Sequence, residues 1–335
     1  MFNKLLKEYK RFIKKQYCQL FGNYDFLPFL CDWFDDWKKY HIKNQYTIQE
    51  KLDKLKKNMD QQSKDTVDLI YNRYVFINPW FAERDNFLIN LDKLFTEKEL
   101  VQQKEKFFVD KNKFKLPKGF AHALPIYKYD AGLSFLDSKI LKQIEGKDII
   151  DGGAFIGDTA IVFNKYSPSK IYCFEPNEEN FINLQITSKL NKLEDKIVPV
   201  QKGLGENVNE LKLFGEGAGA SLINNNDNYT TISVTDIDNF VFINDIKPAL
   251  IKLDVEGFEL ETIKGALKTI KTFKPILLIS LYHQPKDFFD IKPLIESLEL
   301  KYNFMVRKID PNHTTVETIL IGYTEEEEED DDDDE

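Results

Sequence analysis

Acidic side chains close three separate apolar runs beyond residue 145. Asp151 ends the run DIID, Glu175 ends IYCFE and Asp254 ends IKLD. Parallel strands of an open α/β sheet bind ligands at their carboxyl edge, where the ends of successive runs meet. Glu175 follows Asp151 by 24 residues, which fits two successive strands. An acid at the second strand end can accept the hydroxyl hydrogens of a ribose.

A glycine-rich turn follows the first of these runs. The sequence DGGAFIGDT contains Gly152, Gly153 and Gly157, so the backbone can approach a ligand closely and the next helix offers free N–H groups. The Gly-Gly-x-x-x-Gly spacing differs from a dinucleotide fingerprint and from a phosphate loop. A nucleoside ligand without phosphates fits this turn, although glycine turns also serve packing alone.

The third run continues as DVEGFE and brings Asp254, Glu256 and Glu259 towards the same edge. Three carboxylates there would favour a bound cation such as a sulfonium. The same oxygens could hold a divalent metal ion. Glu259 also suits a helix cap, because acidic residues are favoured in a first turn. The sequence leaves these interpretations open.

Only four histidines occur in the chain, and one of them ends the apolar run PILLISLYH. We predict that His283 lies at the ligand-binding edge, where its pKa range suits a general base. A histidine satisfied by a hydrogen bond at a strand end explains the position equally well. Asp254 is the alternative base, or it orients an acceptor hydroxyl.

Short apolar runs alternate with helical stretches from about residue 120, which is typical of βαβ units around a parallel sheet. Strands are predicted over 147–151, 170–175, 197–202, 210–214, 249–254 and 275–282, with a closing hairpin over 301–308 and 316–323. Predicted helices cover 152–166 (turn included), 178–190, 259–272 and 285–298, with a helical or extended link over 233–240.

The first third of the chain has a helical sequence pattern instead of alternating strands and helices. We predict a mostly helical N-terminal domain of unknown role over 1–115, an α/β domain over 120–324 and a disordered acidic tail over 325–335. Residues 3–20 have the spacing of a basic amphipathic helix, which packs on its own domain or contacts an anionic membrane surface peripherally. All three tryptophans precede residue 81 and are expected in a core rather than stacked on sugars.

Charge and composition exclude several classes of partner. The net charge is −10, but residues 325–335 supply 11 acidic groups, and the rest carries 45 acidic and 46 basic residues. That balance argues against nucleic acid as a partner.

No apolar run is long enough for a transmembrane segment, and lysines interrupt any signal-peptide pattern. Three scattered cysteines give no disulfide framework, so we expect a cytoplasmic location.

The order and spacing of these motifs resemble those of a known protein family. The runs DIIDGGAFIGDTA, CFEPNEENF, KGLGE, GAGAS, IKLDVEGFELETIKGA and KPILLISLYH together resemble the FkbM family of S-adenosylmethionine-dependent methyltransferases over about residues 127–323. The resemblance implies a class I methyltransferase (Rossmann-like) α/β fold: a seven-stranded sheet whose last strand is antiparallel. It implies an O-methyltransferase acting on a hydroxyl of a carbohydrate or glycoconjugate, in which His283 or Asp254 assists deprotonation beside Glu256.

The resemblance also implies which residues bind S-adenosylmethionine. Glu175 would hold the ribose, Asn177 with Lys202 and Gly203 would flank the adenine, and a loop ending at Ser221 would cover the cofactor. The full predicted set is Asp151, Gly152, Gly153, Phe155, Gly157, Asp158, Thr159, Glu175, Pro176, Asn177, Lys202, Gly203, Ser221 and Asp254. Metal dependence stays open, since some sugar methyltransferases use a divalent ion.

Two alternatives to a carbohydrate methyltransferase remain at this point: another acceptor, or a protein without catalytic activity. A protein side chain or a lipid-linked precursor could take the methyl group, and the basic residues 3–20 motivate the lipid version. A non-catalytic interaction protein could also retain the same fold.

The cofactor interpretation predicts the result of a calorimetric titration with S-adenosylhomocysteine. Wild-type protein should bind with micromolar affinity, about −8 kcal/mol. Glu175→Ala should abolish that binding, because the ribose loses its acceptor. Absence of binding to the wild type would contradict the prediction or indicate a site that needs the acceptor first.

Overall fold

The computed structural model describes residues 27–76, 109–110, 112–214, 229–310 and 315–325, apart from the side chains of a few residues at the segment ends. Three predicted features lie outside the described residues: the basic segment 3–20, the loop that contains Ser221, and the acidic tail beyond Glu325. Within the described ranges, none of the helices combines the length and apolar character needed to cross a bilayer.

Ten strands occur in the described residues. They are β1 (Asp148–Gly152), β2 (Ile171–Phe174), β3 (Ile197–Val200), β4 (Gly203–Leu204), β5 (Asn209–Phe214), β6 (Tyr229–Thr235), β7 (Pro248–Leu253), β8 (Ile276–Ser280), β9 (Asn303–Lys308) and β10 (Thr318–Tyr323). Seven form one sheet in the order β3-β2-β1-β7-β8-β10-β9, and the others form a small sheet in the order β4-β6-β5.

The described α-helices precede the first strand or alternate with the strands along the chain. They are α1 (Leu27–Lys43), α2 (Ile48–Lys56), α3 (Gln61–Phe76), α4 (Leu124–Tyr129), α5 (Ser138–Leu141), α6 (Asp158–Phe163), α7 (Glu178–Leu190), α8 (Ile237–Ile243), α9 (Glu259–Lys264), α10 (Leu267–Phe273) and α11 (Pro285–Glu296).

The central strands are buried on both faces, which explains their continuous apolar sequences. Every residue of β7 and of β8 is buried, and β1, β7 and β8 pair in parallel. Strand β10 runs antiparallel to both β8 and β9. The reversed strand at the closing hairpin confirms the predicted seven-stranded class I methyltransferase sheet.

One local prediction was wrong: the predicted helix 259–272 is two helices, α9 and α10, which are separated at Gly265 and Ala266. An added Cβ at Gly265 would overlap the carbonyl oxygen of Gly205, so only glycine fits at this break. The predicted helical or extended link over 233–240 contains both kinds of structure, the end of β6 and the start of α8. Asp236 separates the two elements by accepting a hydrogen bond from the Asn239 N–H at 2.7 Å, which caps α8.

The N-terminal helices, α1 to α3, share one apolar core with the sheet. Trp37 is buried, stacks on Tyr74 with ring centres 4.0 Å apart, and contacts Phe288 of α11 at 5.0 Å. The prediction that the tryptophans belong to a core is confirmed for Trp37. The boundaries of the predicted domains stay a prediction.

Helix α3 also covers the edge strand β9. The Val306 N–H donates to the Ser63 hydroxyl at 3.0 Å, and the Arg307 guanidinium donates to Asp60 Oδ2 at 3.1 Å and to the same Ser63 hydroxyl at 2.7 Å. Polar groups of the sheet edge therefore find partners on the helix.

The turn after β1 predicts a matched pair of stability effects. Gly153 and Gly146 have nearly the same backbone φ, +71° and +68°, but a Cβ on Gly153 would overlap the Asp254 carbonyl whereas Gly146 faces open space. Gly146→Ala should cost about 1 kcal/mol through backbone strain alone. Gly153→Ala should cost about 3 kcal/mol, because the neighbouring strand must move. Urea unfolding measures both, and equal losses would contradict the steric argument.

Candidate active site

The backbone of the glycine turn contacts the side chain of Glu175, just beyond the end of β2. Phe155 has a φ of +48°, a conformation that costs a non-glycine residue about 1–3 kcal/mol. This conformation lets the Phe155 N–H donate to Glu175 Oε2 at 3.0 Å. The predicted turn and the predicted ribose-binding acid are therefore in direct contact.

Glu175 lies at the carboxyl end of β2, as predicted, and its side chain is nearly buried. Its second oxygen accepts the Asn177 N–H at 2.8 Å. Burial raises the pKa of Glu175 to about 7, although these hydrogen bonds oppose the shift. The carboxylate still has unused lone pairs, since it offers about four acceptor positions.

Asn177 and Pro176 occupy the start of α7. The Asn177 side chain caps this helix by accepting the Asn180 N–H at 3.1 Å, so its own role is at least partly structural. Lys202 and Gly203 lie just beyond β3, and Gly203 begins β4, where it pairs with Val234. The end of β3 thus lies beside the end of β2, where the Glu175 N–H donates to the Val200 carbonyl at 3.1 Å, and the contact of these residues with the adenine stays a prediction.

Asp151 is fully buried beneath the glycine turn. Its carboxylate accepts the Thr159 hydroxyl at 2.5 Å and lies 3.2 Å from the Lys252 ammonium. The Lys252 ammonium also donates to the carbonyls of Gly153 at 2.9 Å and Gly152 at 3.3 Å. Asp151 therefore supports the glycine turn through Lys252, which it pairs with and which binds the carbonyls of the turn.

Lys252 was missed by the sequence reasoning. Burial opposes its charge, but Asp151 and Asp254 outweigh burial and hold the pKa of Lys252 above its ordinary value. The signal in the sequence was a lysine between Ile251 and Leu253, inside an otherwise apolar strand. Such a position calls for a buried partner.

Asp158 and Thr159 begin α6 and are also buried. Asp158 Oδ1 accepts the N–H of Thr159 at 3.1 Å, which satisfies one donor of the first helical turn. Burial, assisted by the charge of Asp151, raises the pKa of Asp158 to about 6.

The predicted catalytic residues meet at the carboxyl edge of β7 and β8. His283 Nε2 lies 3.4 Å from Glu256 Oε2 and 3.7 Å from Asp254 Oδ1. Both carboxylates are about a quarter exposed, whereas the imidazole is buried. Glu256 adopts a φ of +55°, and strained backbone of this kind is common at functional sites. The arrangement places one imidazole nitrogen towards a pair of partly accessible carboxylates.

Glu259 anchors the other side of the imidazole. Its Oε1 lies 2.9 Å from His283 Nδ1 and accepts the Val255 N–H at 2.8 Å, while its Oε2 accepts the Gly257 N–H at 3.0 Å. The carboxylate thus closes the loop between β7 and α9 and fixes the tautomer in which Nδ1 carries a proton. Of the interpretations left open by the sequence, a structural role fits Glu259 well.

The ionisation of this cluster follows from burial and charge. Burial alone would lower the pKa of His283, but Glu259, Glu256 and Asp254 together raise it to about 10. Burial raises the pKa of Glu256 to about 8, with His283 opposing the shift. Asp254 behaves differently: although burial opposes its charge, Lys252 and His283 hold its pKa below the ordinary value.

The same cluster has the dimensions of a metal site, since donor atoms of Asp254, Glu259 and His283 lie within 4.8 Å of one another. However, His283 Nδ1 and Glu259 Oε1 already contact each other, and backbone N–H groups occupy both Glu259 oxygens. This donor set is arranged to hold an imidazole, and it lends no support to a metal ion.

The reversed seven-stranded sheet, the glycine turn and the acid at the end of β2 define a class I methyltransferase. Residues 151–317, about half of the chain, match the methyltransferase FkbM domain. The chain belongs to the FkbM methyltransferase family.

Two relatives illustrate the match. Hexuronic acid methyltransferase AglP of Haloferax volcanii is 25% identical over 165 residues, which cover 48% of this chain and 66% of that protein. The aligned part therefore spans just under two thirds of that relative. The crystal structure of methyltransferase FkbM from Methylobacillus flagellatus KT superposes with a TM-score of 0.55 and 21% identity, over 86% of this chain and 61% of that one. This likeness supports the fold.

The raised pKa of His283 predicts how stability depends on pH. The folded pKa of about 10 exceeds the ordinary value of 6.5, so the stabilisation is complete below about pH 6.5 and is lost as the pH rises through about 10. His283→Gln removes this dependence. The difference in unfolding free energy between wild type and variant should shrink by a few kcal/mol from about pH 6 to about pH 10, as measured by urea unfolding. Parallel stability curves would contradict the assignment of charge to His283.

Proposed function

We propose that this methyltransferase transfers the methyl group of S-adenosylmethionine to a hydroxyl of a carbohydrate or glycoconjugate. The observation that carries the proposal is the buried imidazole of His283 facing two partly exposed carboxylates at the ligand-binding edge. The relative AglP, named as a hexuronic acid methyltransferase, supports a sugar bearing a carboxylate as the first acceptor to test.

The residues present fit the cofactor. Glu175 retains acceptor capacity next to the glycine turn that contains Gly153 and Gly157, and we assign the ribose to it. We assign the space beside Asn177 and Lys202 to the adenine. When bound, S-adenosylmethionine supplies an electrophilic methyl carbon, which suits an edge lined by carboxylates because its sulfonium is positively charged.

The work left to the protein is to align the acceptor hydroxyl and to take its proton. His283 Nε2 and Glu256 Oε2 lie 3.4 Å apart, and each group shifts the pKa of the other, so we assign the proton to this pair. Glu259 keeps the imidazole in position through Nδ1. A group whose pKa lies near the working pH is the most effective general base, and Glu256, at about 8, is nearer to it than Asp254.

Asp254 has a different part in this scheme. Its low pKa keeps it ionised and makes it a poor base, but an ionised carboxylate is a strong hydrogen-bond acceptor. The Tyr282 hydroxyl donates to its Oδ1 at 2.9 Å, which fixes the orientation of the side chain. We assign to Asp254 the alignment of the acceptor hydroxyl, which makes the oxygen ready for in-line attack.

Other parts of the sequence-based scheme stay predictions. These are the division into domains over 1–115 and 120–324, the cytoplasmic location, the exclusion of nucleic acid and any peripheral membrane contact of residues 3–20. A protein or lipid-linked acceptor has no observation among the described residues in its favour.

The proposal predicts methyl transfer to a saccharide. Purified enzyme should form an O-methyl ether on an oligosaccharide with a terminal hexuronic acid, detected by labelled methyl transfer and NMR of the product. His283→Gln and Glu256→Gln should each lower kcat about 100-fold, the usual contribution of a general base. S-adenosylhomocysteine binding should change less than about twofold.

Glu261→Gln is the matched control. Glu261 lies one turn from the site on α9, but its carboxylate pairs with Lys286 at 2.7 Å, so kcat should stay near that of wild type. The matching neutral hexose and a peptide serve as alternative acceptors. Transfer to the peptide alone, or unchanged kcat in His283→Gln, would overturn the proposed function.

A further inference from the structure

A hydroxyl of the N-terminal helices contacts the backbone of the candidate active site. Tyr74, near the end of α3, is fully buried, and its hydroxyl donates to the backbone carbonyl of Tyr282 at 2.6 Å. Tyr74 lies outside the matched methyltransferase region, residues 151–317. A side chain from another part of the chain therefore holds the segment that carries His283.

Tyr282 transmits this contact in two directions. Its carbonyl belongs to the peptide group that links it to His283, so a hydrogen bond there restrains the backbone of the imidazole. Its own hydroxyl donates to Asp254 Oδ1 at 2.9 Å, and its ring lies 4.0 Å from the imidazole ring. Tyr282 thus touches two of the three predicted catalytic side chains, Asp254 and His283, and is itself held by Tyr74.

The strand offers limited support at this point. The pairing of β8 with β10 continues to the Leu281 N–H, which donates to the Thr318 carbonyl at 2.8 Å. Helix α11 begins at Pro285, so Tyr282 and His283 lie in the short connection between strand and helix. The hydrogen bond from Tyr74 follows the last ladder bond directly and extends the fixed backbone by one residue.

Tyr74 is well placed to act as a rigid support. Its ring stacks on Trp37 with an angle of 6° between the planes, and Trp37 contacts Phe288 and Phe289 at the start of α11. Aromatic side chains packed on several sides have little freedom to move. The orientation of the Tyr74 hydroxyl is therefore set before any ligand arrives.

We propose that Tyr74 is a positioning residue for the methyl transfer, and that aligning Tyr282, His283 and Asp254 is a function of the N-terminal helices. This inference rests on the proposed function, because it takes His283 and Asp254 as the groups that act on the acceptor. Small displacements of such groups are costly, since about 1 Å of misplacement can lower a rate about 100-fold.

The test compares two tyrosines of the same helix in the full-length enzyme. Tyr74→Phe removes the hydroxyl and keeps the ring that stacks on Trp37. It should lower kcat about tenfold, change KM for S-adenosylmethionine less than about twofold, and shift the apparent pKa of the kcat profile. Tyr71→Phe, whose hydroxyl lies 2.5 Å from His41 Nδ1, should leave all three near wild type.

A second variant separates positioning from a general loss of stability. Tyr282→Phe removes the hydrogen bond to Asp254 and should also shift the pH profile. If Tyr74 acts through Tyr282, the double variant should lose less activity than the product of the single losses, because coupled residues are not additive. Multiplicative losses, or a Tyr74→Phe profile identical to that of Tyr71→Phe, would overturn the inference.

The failure of the proposed function would be recognised separately. In that case wild-type enzyme would transfer no methyl group to any saccharide, whereas failure of the inference leaves wild-type transfer intact. The titration of His283, followed by NMR of labelled histidine and assigned with His283→Gln, tests positioning without turnover. Tyr74→Phe should shift that titration and Tyr71→Phe should not; equal titrations would overturn the inference.

Discussion

The buried ion pair between Asp151 and Lys252 is the constraint on which the site depends. The two residues lie on adjacent central strands, and an unpaired charge at either position would be very costly in the interior of the sheet. The Lys252 ammonium also donates to the carbonyls of Gly152 and Gly153, so the same charge that neutralises Asp151 fixes the backbone of the glycine turn. The turn after β1 and the acidic loop after β7 are thereby held as one unit.

A second arrangement depends on the first. Lys252 keeps Asp254 ionised from below, while His283, held by Glu259, places a positive charge on the other side. Three carboxylates can share this small space because each has a different partner: a lysine and a tyrosine for Asp254, backbone N–H groups for Glu259, and the imidazole edge for Glu256. For Asp254 and Glu256 these environments shift the pKa in opposite directions, which is the difference that the proposed orientation and deprotonation of an acceptor require.

Local patterns were sufficient to predict most strands, the closing hairpin, and the places of Glu175, Asp254 and His283, because each of these follows from a run of apolar residues and the residue that ends it. The seven-stranded sheet with its reversed last strand was predicted from the family resemblance. The partners of these residues were beyond prediction, because Lys252 meets Asp151 and Tyr74 meets Tyr282 across about 100 and 200 residues of chain. The need for glycine at residue 265 has the same origin, because the distant backbone of Gly205 excludes a side chain there.

The contact between Ser63 and Val306 has a consequence for association. Strand β9 ends the sheet, and an uncovered terminal strand is a template on which another chain can add its own strand. The helix α3 occupies that template, so the same element that supports Tyr282 also keeps neighbouring molecules from joining their sheets. Removing α1 to α3 would therefore expose β9 to strand addition by neighbouring molecules and leave Tyr282 less ordered. Solubility and activity would then be lost together.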